Sequence, residues 1–223
     1  MTAAIILAAG RGTRMGTDTP KQFLEIGGVP MIVLPLRVFE DSPLIDSIIL
    51  VSSGDYLDYC REEIVEKYGF SKVSAVTEGG KERYDSVRNA LYACPAGTDY
   101  VLIHDGARPF ITEDIIERTL EAAVKYGAAA AAMPSKDTVK IADEDGFVKE
   151  TPLRKYVWTM QTPQTFSYKL ICEANELLLR EKRLSGVTDD AMIVEMSGLA
   201  KVKLVEGSYA NIKVTTKEDL KGL

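Results

Sequence analysis

Short apolar runs at residues 3–7, 47–52, 72–76, 100–103 and 128–133 alternate with stretches of helical spacing, and no other feature restricts the fold as strongly. Strand and helix in alternation require right-handed crossovers, which lay helices over both faces of a mainly parallel sheet. Helices are predicted at 31–39, stopped by Ser42 and Pro43, and at 55–68, with Asp55 as cap and Leu57, Cys60, Ile64, Val65 and Tyr68 on one face. Two more are predicted at about 82–94 and at 112–126, the latter capped by Thr112. After residue 166 follow helices at 167–183 and 191–196, the second capped by Thr188 or Asp189, then a strand at 201–205. A last helix starts at Thr216 with Asp219 as its capping partner. The expected class is α/β, and 223 residues with 46% apolar content suit one domain, 1–223, with a substantial core.

In folds of this kind ligands sit beyond the carboxyl ends of the strands, so the segments after each strand carry the chemistry. The first strand runs into Ala8-Ala9-Gly10-Arg11-Gly12-Thr13-Arg14-Met15-Gly16, with Lys21 beyond. Glycines leave a backbone that a ligand can approach, and free N–H groups in such a turn favour anions. Arg11, Arg14 and Lys21 extend that preference to a polyanion such as a triphosphate, against the plainer reading of a surface turn with solvated charges. A dinucleotide fingerprint would need glycine at Met15, and no Gly-Lys-Ser/Thr follows to make a P-loop.

Three later segments matter. Arg83 and Ser86, three apart on a predicted helix, share a face that points either into the crevice or to solvent. Asp105 ends the fourth strand within His104-Asp105-Gly106-Ala107-Arg108-Pro109. A carboxylate at the tip of a buried strand needs a positive partner, either a magnesium ion shared with phosphate oxygens or Arg108, and its place on the same crevice favours the metal. His104, the only histidine, reads as structural. Residues 136–153 alternate about an Asp145-Gly146 turn, the pattern of a hairpin. A two-stranded ribbon is marginal alone in water, so this one must lie on its own domain or on another subunit.

Composition narrows the partners. A net charge of −6, from 27 basic and 33 acidic residues, gives no global attraction to nucleic acid or to an anionic membrane. Cys60, Cys94 and Cys172 have no metal-ligand spacing and read as reduced thiols. No apolar run approaches the roughly 20 residues that span a bilayer, and Met1 leads straight into the first strand, so the expected location is cytoplasmic.

Laid in order, the blocks Leu7-Ala-Ala-Gly-Arg-Gly-Thr-Arg-Met-Gly16 with Pro20-Lys-Gln22, Gly80-Lys-Glu-Arg83 with Asp85-Ser-Val87, and His104-Asp-Gly-Ala-Arg-Pro109 lead to Asp137-Thr138, Gln161-Thr-Pro-Gln164, Thr188-Asp-Asp190 and Asn211-Ile-Lys213. This ordered set resembles the sugar-phosphate cytidylyltransferases nearly end to end. The resemblance implies a Rossmann-like three-layer nucleotidyltransferase fold with a protruding β-hairpin arm at about 136–156, and a homodimer joined through those arms. It also implies a Mg2+ cofactor and transfer of CMP from CTP to a polyol phosphate, with release of pyrophosphate. Carried over by position, Ala8, Ala9, Gly10, Gly80, Arg83, Ser86 and Gly106 look like nucleotide contacts. Arg14, Lys21 and Lys213 match the catalytic cations, and Asp105 the metal-binding aspartate. On the acceptor side the matches are Asp105, Arg108, Thr162, Thr188 and Lys213, with Thr138 and Arg154 reaching over from the partner's arm.

Two positions depart from the family pattern: Gly106 stands where alanine is frequent, and Ala210 where many members carry an acid. Arg83-Tyr-Asp85-Ser86 and Thr188-Asp-Asp190 resemble the branch acting on 2-C-methyl-D-erythritol 4-phosphate in non-mevalonate isoprenoid synthesis, while Gly207-Ser-Tyr-Ala-Asn211 resembles the ribitol 5-phosphate branch. The acceptor stays open between them. A non-catalytic nucleotide-binding protein on the same fold would be expected to lose Asp105 or Lys21 first, and both are present.

Overall fold

A computed structural model describes residues 1–10 and 20–220. Strand β1 (Thr2–Ala8) is followed, beyond residue 20, by a short 3-10 turn and a miniature hairpin of β2 (Glu25–Ile26) and β3 (Val29–Pro30). Gly27 and Gly28 both take positive φ in its two-residue turn, a conformation that glycine adopts without strain. The main repeat then runs α1 (Val33–Asp41), β4 (Ser47–Ser52), α2 (Leu57–Tyr59), β5 (Val73–Glu78), α3 (Arg83–Ala93), β6 (Tyr100–Asp105), α4 (Glu113–Tyr126) and β7 (Ala128–Pro134). After it come the ribbon strands β8 (Ile141–Ala142) and β9 (Val148–Glu150), then β10 (Trp158–Ser167), α5 (Tyr168–Arg180), α6 (Asp190–Ser197), β11 (Lys203–Glu206) and α7 (Lys217–Leu220).

Seven strands form one sheet in the order β11-β7-β10-β6-β1-β4-β5, parallel except for β10. Alternation along β1 divides the core. Ala4 and Ile6 face a layer that includes Leu36 and Phe39 of α1 and Ile115 and Ile116 of α4, while Ala3 and Ile5 face Val87 of α3, Ile171 of α5 and Ile193 of α6. The expected α/β architecture, a mainly parallel sheet between two helical layers, is the one observed.

Several local expectations need correction. No strand is predicted between the hairpin and the 167–183 helix, yet β10 is a central strand pairing antiparallel with both β6 and β7. Its ladder breaks between Met160 and Gln164, around Pro163, which has no N–H to donate. The 55–68 helix is not one regular α-helix. Asp55 sits inside a 3-10 turn, Gly54–Tyr56, and α2 continues as a π-helical stretch, Cys60–Glu66, that buries Cys60 and Ile64. Thr112 occupies the cap position of α4 in extended backbone, but its hydroxyl bonds the nearby Asp114 carboxylate instead of a backbone N–H. Asp189, by contrast, caps α6 by accepting from the Met192 N–H, and Asp219 accepts from the N–H groups of Thr215 and Thr216.

The ribbon leaves the body between β7 and β10. Its paired part is shorter than the predicted 136–153, because β8 and β9 are joined by a turn in which Asp143 accepts from the N–H groups of Asp145 and Phe147. Phe147 and Leu153 are 72% and 66% exposed, so these apolar side chains lie outside the core of their own subunit.

Candidate active site

Strands β1, β5 and β6 all end at one cavity of about 700 Å³. On its β1 side, Gln22 is buried and its side-chain amide donates to the carbonyls of Ala8 and Gly10. Both carbonyls are thereby held, and the backbone of Ala8, Ala9 and Gly10 lines the opening. Across from it the chain crosses Gly79 and Gly80 into α3. A Cβ at Gly79 would lie 2.5 Å from that of Ala9, and one at Gly80 2.2 Å from that of Asp85, so only glycine allows this approach. The Gly80 N–H donates to Ser86 Oγ at 3.0 Å, and a capping box between Glu82 and Asp85 starts the helix. Arg83 and Ser86 therefore face the cavity rather than solvent.

Asp105 closes the site from β6, with Lys213 Nζ at 2.7 Å from Oδ2 and Arg83 Nη2 at 3.6 Å from Oδ1. Burial works against its ionisation, but the charges of Arg83 and Lys213 outweigh it and hold the carboxyl well below the usual range. Arg108 is not its partner. The Arg108 guanidinium donates to the carbonyls of Asn211 (2.8 Å) and Met160 (3.1 Å), tying the last segment of the chain to β10. Lys21 Nζ donates to the Val214 carbonyl at 2.8 Å, and Val214 N–H to that of Ala107, so the segment carrying Lys213 is held from both sides.

The interruption in β10 organises the scaffold behind the β6 side of the cavity. Gln161 donates to the Ser208 carbonyl at 2.7 Å. Thr162 Oγ1 accepts from the Asp105 N–H at 3.1 Å and bonds His104 Nδ1, whose ring completes the chain through Nε2 to the Arg108 carbonyl. Gln164 Oε1 accepts from the N–H groups of Asp190 and Ala191, while its amide donates to Asp189. Gln161, Thr162 and Gln164 thus fix the end of β6, the start of α6 and the 207–211 turn together. His104 is fully buried and burial lowers its pKa to about 4, consistent with the structural reading. Within this Gln-Thr-Pro-Gln block, the family resemblance implies a role only for Thr162. Two glutamines flanking Thr-Pro inside an otherwise strand-like run were the available signal.

The expected residues fall in different places. Ala8, Ala9, Gly10, Gly80, Arg83 and Ser86 line the cavity, as do Lys21, Asp105 and Lys213. Thr162 and Arg108 stand behind that wall. Gly106 does not line it, because its N–H extends the β6–β1 ladder to the Leu7 carbonyl; Ala107 lines it instead. Thr188 faces an adjacent cleft beside Ser185 and Lys182. Thr138 and Arg154 belong to the arm, where Arg154 donates to the Lys136 carbonyl at 3.2 Å, and neither lines the cavity of its own chain. Arg14 lies outside the described residues, as does Arg11.

Magnesium would find one carboxylate rather than a cage. Among the described residues no cluster of three or more His, Cys, Asp or Glu side chains could hold a metal ion. Asp105 alone fits an ion that keeps most of its waters and takes its other ligands from phosphate, because Oδ1 is too far from Arg83 for a hydrogen bond.

A model of the 2-C-methyl-D-erythritol 4-phosphate cytidylyltransferase family matches residues 2–222. The chain belongs to that family. Similar curated proteins carrying this family's name include one from Alkaliphilus oremlandii, 48% identical over 98% of this chain and 92% of the relative. Another, from Geobacter metallireducens, is 48% identical over 97% and 93%. Among solved structures, the 4-diphosphocytidyl-2C-methyl-D-erythritol synthase of Anaerococcus prevotii superposes with a TM-score of 0.86 at 38% identity, covering 99% of this chain and 95% of that one. The family's cytidylyltransferase of Francisella tularensis gives 0.81 at 30%, over 99% and 97%. These neighbours carry the Rossmann-like nucleotidyltransferase fold that the resemblance implied.

Family membership also bears on the Gly207-Ser-Tyr-Ala-Asn211 block. Tyr209 donates to the Pro134 carbonyl, and the Lys136 ammonium sits 3.5 Å over its ring. Buried Asn211 donates to the Thr162 carbonyl. The block therefore laces the base of the arm to the sheet.

Proposed function

We propose that this protein transfers CMP from CTP to 2-C-methyl-D-erythritol 4-phosphate, releasing pyrophosphate and forming 4-diphosphocytidyl-2-C-methyl-D-erythritol. The observation that carries this reading is the cavity at the strand ends, where glycine backbone and Ser86 stand opposite Lys21, Asp105 and Lys213, in a chain of this family. Ala8, Ala9, Gly10, Gly80 and Ser86 hold the nucleoside through backbone and hydroxyl groups, with Arg83 beside them. Lys21, with Arg14 in the role implied by its place in the motif, balances charge on the departing pyrophosphate.

The acceptor phosphate is ionised near neutral pH, so attack on the α-phosphorus needs alignment and charge balance more than a general base. Lys213 supplies positive charge on the acceptor side. Asp105 would hold the magnesium ion, which supplies charge neutralisation at the phosphate oxygens. Completion of the acceptor site falls to Thr138 and Arg154 of a second copy. Support for that step is the ribbon itself, marginal alone and bearing exposed apolar side chains.

Purified protein given CTP, magnesium and 2-C-methyl-D-erythritol 4-phosphate should release pyrophosphate, and chelation of the magnesium should stop it. Preference for ribitol 5-phosphate would move the chain's activity to the sibling branch. Release with neither acceptor, while CTP still binds, would make it a nucleotide-binding protein only.

A further inference from the structure

Four charges alternate in sign across the back of the site: Asp190, Arg83, Asp105 and Lys213. Asp190 is fully buried, with Oδ2 2.7 Å from Arg83 Nη2, and the same nitrogen stands 3.6 Å from Asp105 Oδ1. One guanidinium nitrogen is therefore shared unequally between two carboxylates, and the buried one holds it. Asp190 has little freedom to follow a moving partner. It lies at the first position of α6, whose start is fixed by Gln164 and by the Asp189 cap. Arginine released from Asp190 would find Asp105 already within reach, and a bidentate pair there would occupy both carboxylate oxygens.

We infer that Asp190, which does not itself line the cavity, is a positioning residue that withholds Arg83 from Asp105, so that Asp105 keeps Oδ1 for a divalent cation delivered with the triphosphate. This rests on the proposed role of Asp105. The unequal distances give the inference its content, since a merely space-filling residue at the start of α6 would not need a charge aimed at Arg83. A free carboxylate buried there would also be costly without that arginine.

Calorimetric affinity for CTP, measured once with Mn2+ and once with a chelator, gives a quotient that reports what the cation adds through Asp105. Asp190→Asn should lower that quotient by about tenfold relative to the parent, because a neutral amide no longer holds the guanidinium away. In an Arg83→Gln background the same substitution should change it by less than about twofold, since the competitor is gone. A thermal midpoint for each variant confirms folding, and Asp190→Ser, well suited to a helix start, replaces the asparagine if that variant fails to fold. An unchanged quotient in folded Asp190→Asn would overturn the inference. So would an equal loss in the Arg83→Gln background, which would make Asp190 a remote charge acting by its field. A parent whose CTP affinity ignores Mn2+ would overturn both this inference and the metal role of Asp105, while pyrophosphate release would still report separately on the transfer reaction.

Discussion

His104 shows what one buried side chain contributes without touching a ligand. Its ring sits beneath the site with Thr162 on one nitrogen and the Arg108 carbonyl on the other, and it stays neutral because burial lowers its pKa from 6.5 to about 4. The unfolded chain therefore takes up a proton below pH 6.5 that the folded chain refuses until about pH 4. Stability from this group is full above pH 6.5 and is lost as pH falls through that window, by about 3 kcal/mol in all. Urea titrations between pH 7 and pH 4 should show that decline in the parent and a flatter profile in His104→Gln. Equal slopes would show that the decline comes from other groups. At this scale the sequence identified the charged groups more readily than their pairings. Asp105 and Arg108 are close in the chain, yet Asp105 pairs with residues 22 positions before it and 108 after it, a proximity created only by the sheet order.

Among the elements, β10 has the widest reach. It was the strand that sequence patterning passed over, because Thr162-Pro163 interrupts the ladder and the polar residues Gln161 and Gln164 mask its alternation, although both are buried. The parallel strands were legible for the opposite reason. Buried on both faces, β1, β4 and β6 read as unbroken apolar runs. Gln164 serves three partners at the start of α6, so Gln164→Ala should leave two N–H groups unsatisfied and cost about 2–3 kcal/mol of stability. Chemical denaturation measures that loss directly. A change under about 0.5 kcal/mol would mean that other groups or water satisfy those N–H groups as well as the glutamine does.

Across the whole molecule, the proposed site is divided between two chains, and the division can be tested by mixing. Arg154→Ala should weaken acceptor use by one to two orders of magnitude, roughly the 1.5–3 kcal/mol of a charge-assisted contact, while Lys21→Ala should lower turnover of the site in its own chain. Heterodimers of the two variants would hold one site with both defects and one with neither, so the mixture should exceed either variant alone. Failure to recover in verified heterodimers would assign Arg154 to its own subunit.

The arm departs from the sheet where Pro134 of β7 stands directly across from Trp158 of β10. Those two antiparallel strands are already neighbours, and a turn of a few residues could join them in place of the ribbon. The arm is thus an insertion in a hairpin that a short turn could close, and it is separate from the strands that end at the cavity. A chain with residues 137–155 replaced by a short glycine-rich turn should remain folded and bind CTP within about threefold of the parent, yet be monomeric and unable to use the acceptor. Folding, in this architecture, does not depend on the arm, whatever the arm itself binds.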